Sequence, residues 1–270
     1  GLTGSAVASG LTYQWQSSPN GTTWTNIAGA TNTTYTSAPV TATTQFRAVV
    51  TCASGQSANS TPVTVTLNAP TYATLPALEN FDNAWVDACA TRDVPSNNWR
   101  MTASPTDADA SWRRDDDGAA GGWTSPTSGA YTPAFSQGTN SARFHSYNAS
   151  NGTVGLLDLY ANLPAGTKIL TFDYINTSGT DSLTVHVSTD GGATFGPAIL
   201  RLNTAAAWAP QSVTFNATSA TSVVRFRARG DFGSTDIGLD NVSLSILPVC
   251  SGTPTAGTTT ASRTSICAPT

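Results

Sequence analysis

Leu11-Thr-Tyr13-Gln-Trp15-Gln-Ser-Ser18 is the stretch whose reading decides the fold. Large apolar and polar residues alternate with period two, the pattern of a strand with one face buried and one wet. The same alternation returns in Thr33-Thr-Tyr35-Thr36, Gln45-Phe46-Arg-Ala48-Val-Val50 and Pro62-Val63-Thr-Val65-Thr-Leu67. Turn-forming residues separate these runs, as strands packed in a sandwich require. Further along, strands are predicted at 141–147, 169–175, 182–188, 211–215, 223–229 and 237–247. No window of useful length carries an apolar period of 3.6, so the chain is predicted to be all-β with minimal helix.

At 270 residues the chain has material for about two domains, each able to bury its own core. Only 10% of residues are charged, the formal net charge is −4, and Lys168 is the single lysine. That balance provides no basic footprint for nucleic acid or an anionic membrane, and no stretch approaches the roughly 20 apolar residues of a membrane helix. A chain rich in Thr, Ser, Ala, Gly and Asn with few charges is typical of exported β-proteins. Four cysteines in that setting favour disulfides; two histidines and no CxxC argue against zinc. Four cysteines allow three pairings, and spacing does not choose among them.

The predicted organisation is a first domain over 1–68, a Pro-bearing linker over 69–77, a second domain over 78–247, and strand-like sequence over 248–270. The first domain begins at what reads as a central strand, and the tail reads as opening strands with no domain after them. The tail is therefore expected to complete a first domain in a neighbouring copy, by strand donation or as tandem repeats. One turn occurs in both domains: Ser18-Pro-Asn20-Gly21-Thr-Thr-Trp24 and Ser188-Thr-Asp190-Gly191-Gly-Ala-Thr-Phe195. Asn or Asp bonds the amides ahead of it, Gly takes positive φ, and the aromatic is expected to pin the hairpin to its sheet.

The first region resembles the immunoglobulin-like (Ig-like) repeats of large surface proteins of gliding Bacteroidota-type bacteria, through Tyr13–Ser18, Trp24–Thr31 and Phe46–Cys52. The second is similar to bacterial MAM-type jelly rolls, through Glu79–Asp82, Ser111–Gly118, Ser141–His145, Ser188–Gly192 and Asp236–Val242. The resemblance implies an Ig-like β-sandwich followed by a MAM-like jelly roll, at the cell surface and delivered by type IX secretion. It also implies a structural calcium at Glu79 and Asp240, with Asp231 and Asp115–Asp117 as further contributors; otherwise Asp240 and Asn241 cap an edge by hydrogen bonds. Ig-like geometry implies that Cys250 of one copy approaches Cys52 of the next, with Cys267 near Cys89. Cys89–Cys250 within one copy is the competing pair. Asp181-Ser182-Leu183 resembles a Bacteroidota O-glycosylation site, with Ser182 as acceptor.

No G-x-S-x-G, H-E-x-x-H or P-loop appears, so an enzyme would have to be built from Asp115, Asp116, Asp117, Asp158, Asp173, His145 and His186. Paired glycosidase carboxylates meet in space rather than in sequence, so a glycoside-acting enzyme stays as a third reading. Trp85, Trp99, Trp112 and Trp123 suggest a carbohydrate-binding adhesin module, since aromatic faces stack on sugars, although such tryptophans also serve as core lids. The leading expectation is a structural repeat of an extracellular fibre or adhesin stalk. Its partners are neighbouring copies, with surface glycans second, and it carries no catalytic residues.

Overall fold

The computed structural model describes residues 1–4, 8–103, 109–147, 149–231 and 234–248. The chain divides into two compact units, the first Gly1–Ala69 and the second beginning at Pro70. Every regular element among the described residues is a strand.

In the first unit β1 (Thr12–Ser18) is the strand read from the sequence, and it pairs antiparallel with β3 (Thr44–Thr51) from Thr12↔Thr51 to Ser18↔Gln45. The short β2 (Thr25–Asn26) flanks β1, while β4 (Ser57–Asn59) and β5 (Val63–Val65) pair with the two halves of β3. Ser60 bridges that break: its amide and hydroxyl both bond Ala48. The result is one five-stranded sheet. Partner residues on paired strands share a face, so Trp15, Phe46, Ala48, Val50, Val63 and Val65 all look the same way. The opposite face is polar, with Arg47 donating to Gln16 and lying 4.2 Å over the Trp24 ring.

Thr33–Thr36, expected as a strand, joins no ladder. Tyr35 instead packs its ring on Trp15 at 6.0 Å and on Phe46 at 6.1 Å. The alternation there reports a residue that points into the core, without a neighbouring strand to receive the backbone.

The second unit is a two-sheet sandwich. Its strands are β6 (Ala77–Glu79), β7 (Trp99–Ala103), β8 (Trp112–Arg114), β9 (Ala142–Phe144), β10 (Val154–Leu163) and β11 (Thr167–Asn176). They continue with β12 (Ser182–Ser188), β13 (Leu200–Leu202), β14 (Ala205–Asn216), β15 (Ser219–Arg229) and β16 (Ile237–Ile246). One sheet has the order β13-β12-β15-β10-β7; the other has β14-β11-β16-β9-β8, with β6 also on β16. Between them lies a continuous core that includes Trp99, Leu157, Phe172, Val224, Phe226 and Leu244. Phe226 sits at its centre, 5.3 Å from Phe172 and 6.2 Å from Trp99.

Residues expected as a linker are bonded into this unit. Thr71 donates its amide to Asn97, and Ala73 bonds Tyr160 and Asn162. Lys168 is buried, its ammonium donating to the carbonyls of Pro164, Gly166 and Ala217, so it contributes no surface charge.

Candidate assembly site and the sequence-predicted residues

The apolar face of the sheet in the first unit is incompletely covered among the described residues. Its buried cluster is small, Trp15, Ala30 and Ala48, with Leu2, Ile27 and Tyr35 partly buried against it. Val63 and Val65 point to the same side as this cluster, yet they are 58% and 38% exposed, and Leu67 beyond them is 43% exposed. Three of the six exposed large hydrophobics among the described residues thus fall within five positions of one edge. A groove of about 730 Å³ runs over this side of the sheet, floored by Leu11, Trp15, Phe46, Val50 and Val63, with Leu2 on its wall. Cys52 and Gln56, which form the turn after β3, also line it. Covering each exposed aliphatic side chain would contribute roughly 1 kcal/mol or more.

The cysteines are placed only in part. Cys52 and Cys89 are exposed free thiols, one in each unit. Cys250 and Cys267 lie outside the described residues, so the expected pairings with them have no counterpart there.

Glu79, Asp240 and Asp231 do not gather into one ligand set. Among the described residues no group of three or more His, Cys, Asp or Glu side chains could hold a metal ion. Asp240 lies at a bulge in β16, where Asn241 adopts φ 49° and the register with β11 shifts. The bulge turns Asp240 toward the 134–137 loop, where its carboxylate accepts the Ser136 amide at 2.9 Å, the Ser136 hydroxyl at 3.0 Å and the Gln137 amide at 3.1 Å. Asn241 donates to Ser136 and to Asp173. Glu79 pairs across β6 with Val242 and accepts the Phe81 amide at 3.0 Å; burial raises its pKa. Asp231 instead lies by Asp181, whose carboxylate accepts its amide at 2.8 Å. The donors around Asp240 are those of a capping carboxylate, the alternative that the sequence left open.

The candidate enzymatic residues are likewise engaged in structure. Asp115 accepts the Ser141 amide and the Asn140 side chain, Asp116 pairs with Arg114, and Asp117 pairs with Arg92. Asp158 is gripped by Arg225 through two 2.8 Å bonds. His145 is buried, bonded to the fully buried Asp236 at 2.9 Å and stacked on Trp123 at 4.6 Å. Asp236 also takes Arg143 at 2.6 Å and the amides of Ser146 and Tyr147, so it ties β9 to the start of β16. His186 bonds the Gly196 carbonyl and the Thr184 hydroxyl. Trp85, Trp99, Trp112 and Trp123 are all buried, so none presents a face to a sugar. Ser182 opens β12 half-buried, paired with Arg229.

Both copies of the shared turn are built as read. Asn20 accepts the amides of Thr22 and Thr23, and Gly21 has φ 73°. Asp190 accepts the Ser188 hydroxyl and the amide and hydroxyl of Thr194, which together hold its carboxyl down at about 2, and Gly191 has φ 76°. Phe195 then lies beneath the Arg225 guanidinium at 3.7 Å.

A family model described as a domain of unknown function (DUF8696) matches residues 1–69. No curated protein matches the chain. Among solved structures, the K1 cleaved adhesin domain of Lys-gingipain from Porphyromonas gingivalis W83 is similar at 16% identity, over 64% of this chain and 98% of that one, with a TM-score of 0.45. The K3 domain of the same protein is similar at 20% identity, over 63% and 96%, with a TM-score of 0.46. A xylan-binding domain from Paenibacillus barcinonensis is similar at 10% identity, over 64% and 95%, with a TM-score of 0.39. No helix among the described residues is long and apolar enough to cross a membrane.

Proposed function

We propose that the chain is a structural repeat unit of an extracellular surface fibre or adhesin stalk, joined end to end through its first unit. The groove over Trp15, Phe46 and Val50 receives opening strands from the 249–270 sequence of a neighbouring copy or repeat. The observation that carries this reading is the exposure of Val63 and Val65 on the core-facing side of the sheet. A strand laid there satisfies edge donors and acceptors and covers apolar surface together, which is the physics of strand addition. Cys52 is a free thiol on the groove lining, which supports a pairing with Cys250 of the incoming segment.

Size-exclusion chromatography with light scattering tests the reading on two chains, one of residues 1–270 and one ending at Pro248. The full chain should form concentration-dependent multimers, seen as rods in micrographs, and the shortened chain should stay monomeric. A second arm adds a synthetic peptide of residues 249–270 to the shortened chain, which should raise the melting temperature of its first unit. A peptide that neither binds nor stabilises that unit contradicts the proposal for tandem repeats and separate subunits alike.

A further inference from the structure

The sheet β13-β12-β15-β10-β7 gathers arginines on its outer face. On β15, Arg225, Arg227 and Arg229 alternate with the buried Val224, Phe226 and Ala228, so all three guanidinium groups leave on the side away from the core. Arg201 on the edge strand β13 pairs with Thr184, and Thr184 pairs in turn with Arg227. Partner residues share a face, so Arg201 and Arg227 flank one threonine in a single cross-strand row. Two strand spacings separate their backbones, about 10 Å. Four of the eleven arginines in a chain of net charge −4 therefore meet on one surface.

The acids nearby do not neutralise them. Asp158 is committed to Arg225, and Asp181 with Asp231 form their own contact. Arg229 reaches only the amide oxygen of Asn151, at 3.2 Å. The guanidinium groups of Arg201 and Arg227 have no hydrogen-bond or ion-pair partner among the described residues. Neighbouring like charges on a sheet face repel, so leaving them unpaired costs stability that an anion would restore. Arg225 is held from two sides, by the Asp158 carboxylate and by the Phe195 ring at 3.7 Å, so this part of the surface is ordered before any ligand arrives.

We infer that this face binds a uronate-bearing polysaccharide, its carboxylates meeting Arg201 and Arg227. A guanidinium takes a carboxylate through two parallel bonds, which explains a surface that uses arginine throughout and keeps its one lysine inside. On the same face Thr184 and His186 bond each other and the carbonyls of Arg227 and Gly196, which fixes the floor beside the arginines. Single-stranded nucleic acid fits less well, because it requires free aromatic faces on which bases stack. Here Phe195 is occupied by Arg225, and Tyr160 packs edge-on against Tyr72 at 5.5 Å.

Affinity electrophoresis of the full chain tests this in gels carrying polygalacturonate, dextran or a thymidine oligonucleotide. Polygalacturonate should retard the protein, less so as salt rises, and neither dextran nor the oligonucleotide should match it. The double variant Arg201→Gln/Arg227→Gln should bind polygalacturonate roughly tenfold more weakly or worse. Arg47→Gln in the first unit should leave binding unchanged. Arg201→Lys/Arg227→Lys keeps the charge without the fork and should fall between. Unchanged melting temperatures show that the variants are folded. Absent retardation by polygalacturonate, equal retardation by dextran or the oligonucleotide, or a Gln double variant that binds like the parent would each overturn the inference.

Discussion

The two units solve the burial problem to different degrees. The second closes two sheets over a core running from Phe81 to Leu244, and its largest side chains, Trp99, Trp112 and Phe226 among them, are fully buried. The first has the alternation, the turn and the central tryptophan of a sandwich, but only one sheet among its described residues, with Val63 and Val65 exposed on the same side as its small core. A sheet with one face committed to burial and nothing upon it is marginal by itself. The difference suggests a division of labour in which the second unit is self-sufficient and the first gains stability by assembling.

The strongest way to break that comparison is to injure the second unit at its centre. Phe226→Ala should cost about 3–5 kcal/mol, because it empties a fully buried site packed between Phe172 and Trp99. In calorimetry the higher of two transitions should fall steeply while the lower, assigned to the first unit, stays in place. A common shift of both transitions would show that the units are energetically one body.

Next in size is the β16 bulge. Asp240→Ala strands the amides of Ser136 and Gln137 and should destabilise the second unit by about 2–3 kcal/mol. Urea unfolding measures it, and a loss below about 0.5 kcal/mol would remove the capping role assigned to Asp240.

A pH scan sharpens the comparison further, since Asp181 belongs to the second unit. Burial, with the Asp231 carboxyl beside it, pushes its pKa up to about 6. The folded form therefore holds the proton more tightly than the unfolded chain, whose aspartates titrate near 4. Stability should fall as pH rises from about 4 to about 6 as this proton is lost. Asp181→Asn should flatten that slope in the second transition and leave the first untouched. A slope that survives the substitution assigns the titration elsewhere.

The sequence made some of this legible and hid the rest for identifiable reasons. β1 and β3 alternate cleanly because one face is wet, and the two S-x-[N/D]-G turns are local chemistry that needs no tertiary context. β10 is not legible as a strand although it is paired on both sides in its sheet: Gly155-Leu-Leu-Asp-Leu-Tyr160 has apolar residues on both faces and so loses the period of two. The four tryptophans of the second domain read equally as sugar platforms and core lids, and only packing shows them buried. Arg201 and Arg227 lie 26 positions apart, and no spacing rule joins them; the strand order brings both against Thr184. Resemblance groups Glu79, Asp240 and Asp231, while in the fold Glu79 accepts the Phe81 amide, Asp240 accepts the Ser136 amide, and Asp231 donates its own amide to Asp181.

The smallest effect on the isolated chain should carry the largest consequence for assembly. Val63→Ser alters a residue that is mostly exposed, so the shortened chain ending at Pro248 should change by no more than about 0.5 kcal/mol. The full chain bearing the same change should lose multimers, because the side chain it removes is one that the incoming strand covers. Equal multimerisation of parent and variant would place the joint elsewhere on the molecule.

The most direct test is methyl NMR of the chain ending at Pro248, with valines labelled, titrated with a synthetic peptide of residues 249–270. The Val63 and Val65 methyl resonances should shift and show intermolecular nuclear Overhauser contacts to peptide side chains, while valines buried in the second unit, such as Val185 and Val224, stay fixed. Val63 and Val65 resonances that do not move at saturating peptide would contradict the claim that this face is completed by a donated strand.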